Sequence, residues 1–255
     1  MIRAPQHRRR DRQPEGLTPQ LHKGRLVILN PEAAAFSQLH LTGDRRDVRS
    51  RRGGPGRGAT FTVTQPIITR VRKTGLRLLG DVPWGRHVAF FYEREEHLVE
   101  MCVPFLKAGL ESNEVCVWVI PETLTERDAW AALGDAVPAL DRFRADRRIE
   151  TLRSQTWYVT GDTPDLQKVA RGWDAKLTDA LHRGYEGLRV AASAPQLEEK
   201  HWADFFDYEE RLNRYLSDKA MLVLCAYPVP APRAADVTRT HPSTIRKRGG
   251  EWEVH

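Results

Sequence analysis

Short apolar runs alternate with longer stretches of mixed polarity along the chain from Trp84 to the C-terminus. A short apolar run indicates a strand buried on both faces, and apolar residues that recur every three or four positions indicate a helix that covers a sheet. Strands and helices in regular alternation are typical of a parallel α/β sheet. The pattern predicts strands at residues 87–92, 114–120, 148–152, 187–192 and 221–227.

The stretches between these strands predict helices. Thr125 is a good N-cap for one helix, and Thr163 followed by Pro164 is a good start for another that Gly184 would end. The predicted helices cover residues 94–110, 126–134, 164–183 and 198–216. Residues 245–254 read as a hairpin around Gly249-Gly250, so the predicted sheet is mostly parallel, with flanking helices and an antiparallel C-terminal end.

The N-terminal region predicts a disordered basic tail, because it combines Arg, Gly and Pro without sustained apolar periodicity. Residues 61–70 are rich in β-branched residues, but Pro66 limits them to an edge strand at most. The predicted organisation is therefore a tail at residues 1–73 and one folded domain at residues 74–255. An alternative explanation is that the Arg-rich stretch is translated leader sequence upstream of the true start codon.

A glycine-rich stretch in the tail, GGPGRGAT at residues 53–60, is close to a phosphate-binding loop but differs at an essential position. The motif needs Lys before its final Ser or Thr, and Ala59 stands there. A working loop also lies between a strand and a helix, whereas Arg-rich sequence precedes this one. We therefore interpret the stretch as low-complexity tail.

Positive charge is concentrated in the same region. Residues 1–60 carry 13 Lys or Arg against 5 Asp or Glu, whereas residues 61–255 carry 27 against 29. The predicted domain is close to neutral, so we expect nucleic acid to bind only through the tail, if it binds at all.

The spacing of the cysteines and the length of the apolar runs indicate the cellular compartment. Cys102, Cys116 and Cys225 are an odd set without CxxC spacing, so a disulfide framework is not expected. No apolar run approaches the roughly 20 residues of a membrane-spanning helix, and no signal peptide is visible. The sequence predicts a cytoplasmic protein that does not bind membranes.

Three separate segments resemble one known family. GDVPWGRHVAFFYE at residues 80–93, FLKAGLESNEVCVWV at 105–119 and GYEGLRVAAS at 184–193 are similar to the MEDS sensory domain of prokaryotic signalling proteins. The resemblance implies a RecA-like three-layer fold and a non-catalytic sensor of simple hydrocarbon derivatives, with no cofactor. It also implies that the sensor regulates a partner such as a histidine kinase or a transcription regulator.

Residues at the carboxyl ends of the predicted strands are candidates for the ligand site, because open α/β sheets bind ligands there. Two adjacent aromatic residues, Trp157 and Tyr158, lie in a predicted loop and could line a pocket; the alternative is that one ring fills the core. Arg189 interrupts an apolar strand, so we expect it to pair with an acid such as Glu209 or to face the crevice. The predicted ligand-binding residues are Tyr92, Glu93, Trp157, Tyr158, Arg189, Ser193 and Tyr227.

Three further residues, His87, Cys225 and His241, are assigned a redox or structural role. His87 starts a strand, at the end opposite the expected crevice, and anchoring the preceding turn is the favoured interpretation. Many MEDS members carry a cysteine two positions after this histidine, where this chain has Ala89. Cys225 and His241 would supply at most two soft ligands, whereas a closed zinc site needs four, so no metal is predicted.

Two other functions stay open at this point. A degenerate RecA-like fold predicts nucleotide binding or ATPase activity near Tyr92 and Glu93, although no nucleotide-binding signature is present. The basic tail predicts a regulator that binds nucleic acid with strong salt dependence. No nucleophile elbow, metalloprotease helix or triad spacing occurs, so no catalytic residue is predicted.

Overall fold

A computed structural model describes residues 71–231 and 233–255 in full, together with the backbone of four short strands nearer the N-terminus. The chain divides into two compact units, Met1–Pro66 and Ile67–His255. The strands of the first unit are β1 (Gln20–His22), β2 (Arg25–Val27), β3 (Val48–Arg51) and β4 (Thr60–Val63). They form an antiparallel sheet in the order β1-β2-β4-β3.

Much of the predicted tail lies outside the described residues. This includes residues 53–59 of the glycine-rich stretch. Of the predicted strand at residues 61–70, only the part within β4 is described.

A seven-stranded sheet forms the centre of the second unit. The strands of this unit are β5 (Val71–Lys73), β6 (Asp81–Pro83), β7 (His87–Tyr92), β8 (Val115–Ile120), β9 (Ile149–Arg153), β10 (Val159–Thr160), β11 (Thr163–Pro164), β12 (Leu188–Ser193), β13 (Met221–Pro228), β14 (Ser243–Arg248) and β15 (Glu251–Val254). The large sheet has the order β15-β14-β7-β13-β12-β8-β9, and β5-β6 and β10-β11 are separate antiparallel pairs. All neighbours in the large sheet are parallel except β14 and β15.

Helices cover both faces of this sheet, which confirms the predicted three-layer α/β fold. The helices are α1 (Glu95–Glu111), α2 (Glu126–Ala136), α3 (Leu140–Ala145), α4 (Ser154–Tyr158), α5 (Leu166–His182), α6 (Trp202–Leu216) and α7 (Ala234–Thr240). α1, α2 and α3 contribute to the core on one face, and α4 to α7 contribute to the core on the other. Among the described residues, no helix combines the length and the apolar character that crossing a membrane requires.

The C-terminal hairpin also agrees with the sequence pattern. Gly249 and Gly250 connect β14 to β15, and both have positive φ angles, +57° and +90°. A two-residue turn of this kind needs two positive φ angles, which glycine adopts without strain. The antiparallel end of the sheet is therefore confirmed.

Several predicted helix boundaries are wrong. Trp157 and Tyr158 belong to α4 and not to a loop. α5 is capped by the side chain of Asp165, which accepts from the Lys168 N–H, because Thr163 is already used in β11. The last long helix starts at Trp202 and not at residue 198, since a 3-10 turn precedes it.

The turn before β7 fixes where the first core strand meets α6 and β13. Gly85 has φ +80°, and its N–H donates to the Met221 carbonyl at 2.9 Å. A Cβ on Gly85 would lie 2.6 Å from the Leu216 carbonyl oxygen, so only glycine allows this close approach. His87, two residues later, is thereby held close to the sheet face that α6 covers.

Candidate functional site

His87 and Cys225 point to the same face of the sheet from neighbouring strands. In the parallel register, Val223 of β13 is opposite His87, and Cys225 is opposite Ala89. Side chains alternate along a strand, so His87, Ala89 and Cys225 share the face covered by α5 and α6. Cys225 Sγ lies 3.3 Å from His87 Nε2.

α6 brings a carboxylate to the same place. Glu209 is 1% exposed, and its Oε2 lies 3.2 Å from His87 Nε2 and 3.3 Å from His241 Nε2. From the sequence we consider Glu209 only as a possible partner of Arg189, whereas the structure buries it against His87 and His241. The signal was available, because Glu209 is four residues after Phe205 and three before Leu212, on the apolar side of the helix.

His241 completes the group from the turn between α7 and β14. Its ring centroid lies 4.1 Å from that of His87. One ligand atom from each of His87, Glu209, Cys225 and His241 lies within 4.8 Å of the other three, and all four residues are buried. We call these four residues the buried cluster.

The cluster unites the three residues assigned a redox or structural role and adds Glu209. Cys225 and His241 lie close together, and His87 and Glu209 join them. The register also places Cys225 directly opposite Ala89. A sulfur atom therefore reaches this part of the sheet from β13 and not from β7. Strand order across a sheet is not visible in local sequence, so the group could not be assembled from the pattern.

Burial and neighbouring charges shift the pKa values inside the cluster. Burial, together with His241, lowers the pKa of His87 to about 4. Burial alone would raise the pKa of Glu209, but hydrogen bonding to His241 and His87 outweighs it and lowers the pKa to about 2. Burial raises the pKa of the Cys225 thiol well above its usual value. The two imidazoles therefore favour the ionised form of the Glu209 carboxyl group.

The residues predicted to bind the ligand do not form a single group. Tyr92 belongs to the core on the α1 face, where burial raises its pKa to about 12, whereas Tyr227 belongs to the core on the α5–α6 face. Ser193 is buried at the end of β12, and Glu93 is exposed after β7. The hydroxyls of Ser193 and Tyr227 and the indole N–H of Trp157 are buried without a hydrogen-bond partner among the described residues.

Arg189 has a different partner from the one expected. Its guanidinium forms two hydrogen bonds with the Glu114 carboxylate, at 2.6 and 3.0 Å, and donates to the Phe105 carbonyl at 2.9 Å. Arg72 donates to the same carboxylate at 2.8 Å. Arg189 is the second residue of β12, at the end opposite Ser193, and it joins β12, α1 and the β5 strand.

A groove between α5 and α6 is the other notable feature of this face. It has a volume of about 310 Å3 and is lined by Leu166, Gln167, Ala170, Trp173, Tyr208, Arg211, Leu212 and Tyr215. Trp173 donates to the Tyr208 hydroxyl at 3.1 Å, so aromatic groups with fixed polar tips form its inner wall. Tyr208 precedes Glu209 in α6, so adjacent residues of this helix serve the groove and the buried cluster.

Two of the predicted ligand residues support this wall from behind. The Trp157 ring centroid lies 4.6 Å from that of Trp173, and Tyr158 packs edge-on against Phe205. Gly172 permits the first contact, since a Cβ there would lie 2.5 Å from the Trp157 ring.

The junction of β7 and α1 is the place where many α/β proteins bind phosphate, and in this protein it is acidic. Only Glu93 and Arg94 connect the strand to the helix, and the first turn of α1 carries Glu95 and Glu96. Carboxylates at a helix N-terminus repel phosphate and occupy the favourable field of the helix dipole. Tyr92, immediately before the junction, is buried.

Comparison with solved structures places this fold among known proteins. The chain is similar to the KaiC-like protein PH0186 from the hyperthermophilic archaeon Pyrococcus horikoshii OT3, with a TM-score of 0.52 and 15% identity over 72% of this chain and 86% of that chain. It is also similar to the flagellar accessory protein FlaH from Methanocaldococcus jannaschii, with a TM-score of 0.43 and 11% identity over 70% and 79% of the two chains. The first similarity supports a RecA-like fold and nothing beyond the fold.

Sequence comparison identifies the family. No curated protein matches the chain. The family model for MEDS, described as "MEthanogen/methylotroph, DcmR Sensory domain", matches residues 86–242. The match runs from the residue before His87 to the residue after His241 and so contains the whole buried cluster. Because it covers more than half of the chain, this protein belongs to the MEDS family of sensory domains.

Proposed function

We propose that this chain senses a small molecule in the α5–α6 groove and regulates a signalling partner, such as a histidine kinase or a transcription regulator. Membership of a sensory family supports the general role. The observation that carries the choice of site is the groove itself, with Trp173 and Tyr208 as its inner wall. Tyr92, Glu93 and Ser193 are not part of this proposed site.

The size and lining of the groove indicate the class of ligand. Its volume of about 310 Å3 is at the low end of small-molecule pockets, which range over roughly 300–1,000 Å3. Leucine and aromatic side chains favour an apolar body, whereas the Tyr208 hydroxyl and the Arg211 guanidinium can orient one polar group. Small alcohols, halocarbons and short carboxylic acids meet these requirements.

α6 offers a physical route from ligand to response. Tyr208, Leu212 and Tyr215 line the groove, and Glu209 of the same helix reaches the buried cluster. A ligand that shifts α6 would change the contacts of Glu209 with His87 and His241. The partner would then distinguish the ligand-bound form from the free form by the position of this helix.

A matched pair of substitutions in the full chain tests the site. Arg211 lines the groove, while Arg214 is exposed on the same helix and does not line it. In isothermal titration with a panel of small alcohols, halocarbons and acids, R211W should weaken binding of a hit by at least about tenfold, and R214W should leave it unchanged. The proposal fails if no compound binds, or if the two variants behave alike.

Nucleotide binding is a second candidate, because the similarity to a KaiC-like protein supports a RecA-like fold. It would require phosphate to approach Glu95 and Glu96 at the start of α1, which carries no phosphate-binding loop. Saturable binding of Mg-ATP that is weakened by R94A, but not by R211W, would favour this candidate over the sensor of small apolar molecules.

A further inference from the structure

The buried cluster has the composition of a metal centre. Two imidazoles, one thiol and one carboxylate converge from the start of β7, from α6, from β13 and from the turn after α7. No side chain of the four is more than 5% exposed. Polar groups of this kind are costly to bury without a partner that satisfies all of them at once.

Three of the contacts within the cluster are close in length to the edges of a small tetrahedron. The contacts of His87 Nε2 with Glu209 Oε2 and Cys225 Sγ measure 3.2 and 3.3 Å, and that of Glu209 Oε2 with His241 Nε2 measures 3.3 Å. Cys225 Sγ lies 4.0 Å from Glu209 Oε2. A tetrahedral zinc ion with ordinary bond lengths separates its ligand atoms by about 3.3–3.6 Å, so small adjustments would close the site.

The hydrogen bond on the far side of His241 fixes its orientation toward the cluster. Its Nδ1 lies 2.9 Å from the Val237 carbonyl oxygen, which can only accept, so Nδ1 carries the proton. In the neutral ring, Nε2 then presents a lone pair to the Glu209 carboxylate. A lone pair that faces a carboxylate is satisfied either by a proton or by a metal ion, and a carbonyl behind a histidine is the usual support of a metal ligand.

The partners of Glu209 differ in kind from those of the other buried carboxylate, Glu114. Both carboxylates are buried, but Glu114 is neutralised by Arg189 and Arg72. Among the described residues, no Lys or Arg forms an ion pair with Glu209, whose contacts are His87, His241 and Cys225. A buried carboxylate without a permanent cation is unusual, and a bound metal ion would supply one.

We propose that His87 Nε2, Glu209 Oε2, Cys225 Sγ and His241 Nε2 bind one zinc ion in a closed tetrahedral site. Mixed nitrogen, sulfur and oxygen ligands suit Zn2+, whereas Mg2+ and Ca2+ prefer oxygen alone. Binding displaces the Cys225 thiol proton to solvent, and the two charges of zinc balance the thiolate and the carboxylate. Four protein ligands leave no open position, so the ion is structural and joins α6 to the sheet.

This inference goes beyond the sensor proposal and does not rest on it. The zinc ion would hold the helix that forms one wall of the groove, whatever the groove binds. Loss of ligand binding in R211W would leave the metal content unchanged. The two proposals can therefore fail separately.

The direct test is metal analysis of the full chain, purified without a metal-affinity tag. Elemental analysis after desalting should find about one zinc per chain, as expected for a structural site. C225S and H241Q should each lose most of it. C116S is the matched control, since Cys116 is also a buried free thiol but contacts the Leu106 carbonyl and no cluster residue. Wild-type protein with less than about a tenth of an equivalent of zinc would overturn the proposal, as would equal zinc in C225S and C116S.

Cobalt substitution keeps the test independent of how well the variants fold. Wild-type chain refolded with Co2+ should show the intense visible bands of a tetrahedral ion and a near-ultraviolet thiolate-to-cobalt band. The thiolate band should persist in C116S and disappear in C225S. A spectrum without the thiolate band in the wild type would contradict the site.

Discussion

Glu209 of α6 and His87 of β7 bring Oε2 and Nε2 to 3.2 Å of each other in the interior of the protein. This contact joins the helix that lines the groove to the first strand of the core. It also sets the geometry of the buried cluster, since His241 and Cys225 approach the same carboxylate oxygen from the other sides.

Glu209→Gln should destabilise the protein far more than Glu210→Gln. The amide cannot replace a carboxylate that contacts two imidazoles, so we expect the free energy of unfolding to fall by about 3 kcal/mol. Glu210 is half exposed and forms a surface ion pair with Arg239 at 3.4 Å, so its replacement should change stability little. Urea unfolding of the two variants measures the difference. Equal midpoints would show that the charge of Glu209 has no structural role.

Arg189→Met should be among the most destabilising substitutions in the folded unit. It leaves the buried Glu114 carboxylate with Arg72 alone, and breaking a buried pair costs about 3–5 kcal/mol. R183M is the control, because Arg183 pairs with Asp179 near the surface. Thermal unfolding should place R189M well below both the wild type and R183M. A melting temperature of R189M close to that of R183M would argue against a structural role for the Glu114 pair.

Gly85→Ala and Gly80→Ala separate steric contact from backbone strain. Both glycines have positive φ angles, +80° and +61°, so alanine costs about 1 kcal/mol at either position. Only at Gly85 would the new methyl group meet the Leu216 carbonyl, whereas at Gly80 no described residue apart from the two chain neighbours lies within 4 Å of it. We therefore expect G85A to be clearly less stable than G80A in denaturant titrations. The same loss in both would mean that the turn can move away from α6.

A further prediction concerns nucleic-acid binding by the basic N-terminal region. If the tail binds DNA, replacing Arg8, Arg9 and Arg10 by serine should weaken binding and reduce its salt dependence, because each lost phosphate contact lowers the slope by about 0.9. Serine at Arg127, Arg142 and Arg144, which are exposed on α2 and α3, is the charge-matched control. Fluorescence anisotropy at several salt concentrations measures both. Equal effects of the two triple variants would assign the binding to charge in general and not to the tail.

Much of the fold could be predicted from periodicity, whereas most of the site could not. Buried parallel strands such as β8 are continuous apolar runs in the sequence. The N-cap of α2 is also a local signal, and the Thr125 side chain accepts the Asp128 N–H as expected of a cap. The buried cluster depends on β13 lying next to β7 in the sheet. Three other strands of the same sheet, β8, β9 and β12, lie between them in the sequence. Glu209 is hard to single out in the sequence, because neighbouring acids such as Asp207 and Glu210 are exposed. Its position on the same side of the helical wheel as Phe205 and Leu212 is the evidence that indicates its burial.

Zinc K-edge X-ray absorption of the purified full chain tests the proposed centre most directly, because it reports the atoms bound to the ion. The account predicts one sulfur at about 2.3 Å and three nitrogen or oxygen neighbours at about 2.0–2.1 Å, the environment of a four-coordinate zinc with one thiolate. C225S should lose the sulfur shell and C116S should keep it. A spectrum of nitrogen and oxygen neighbours only, or a wild-type chain without zinc, would contradict the assignment of His87, Glu209, Cys225 and His241 as a metal site.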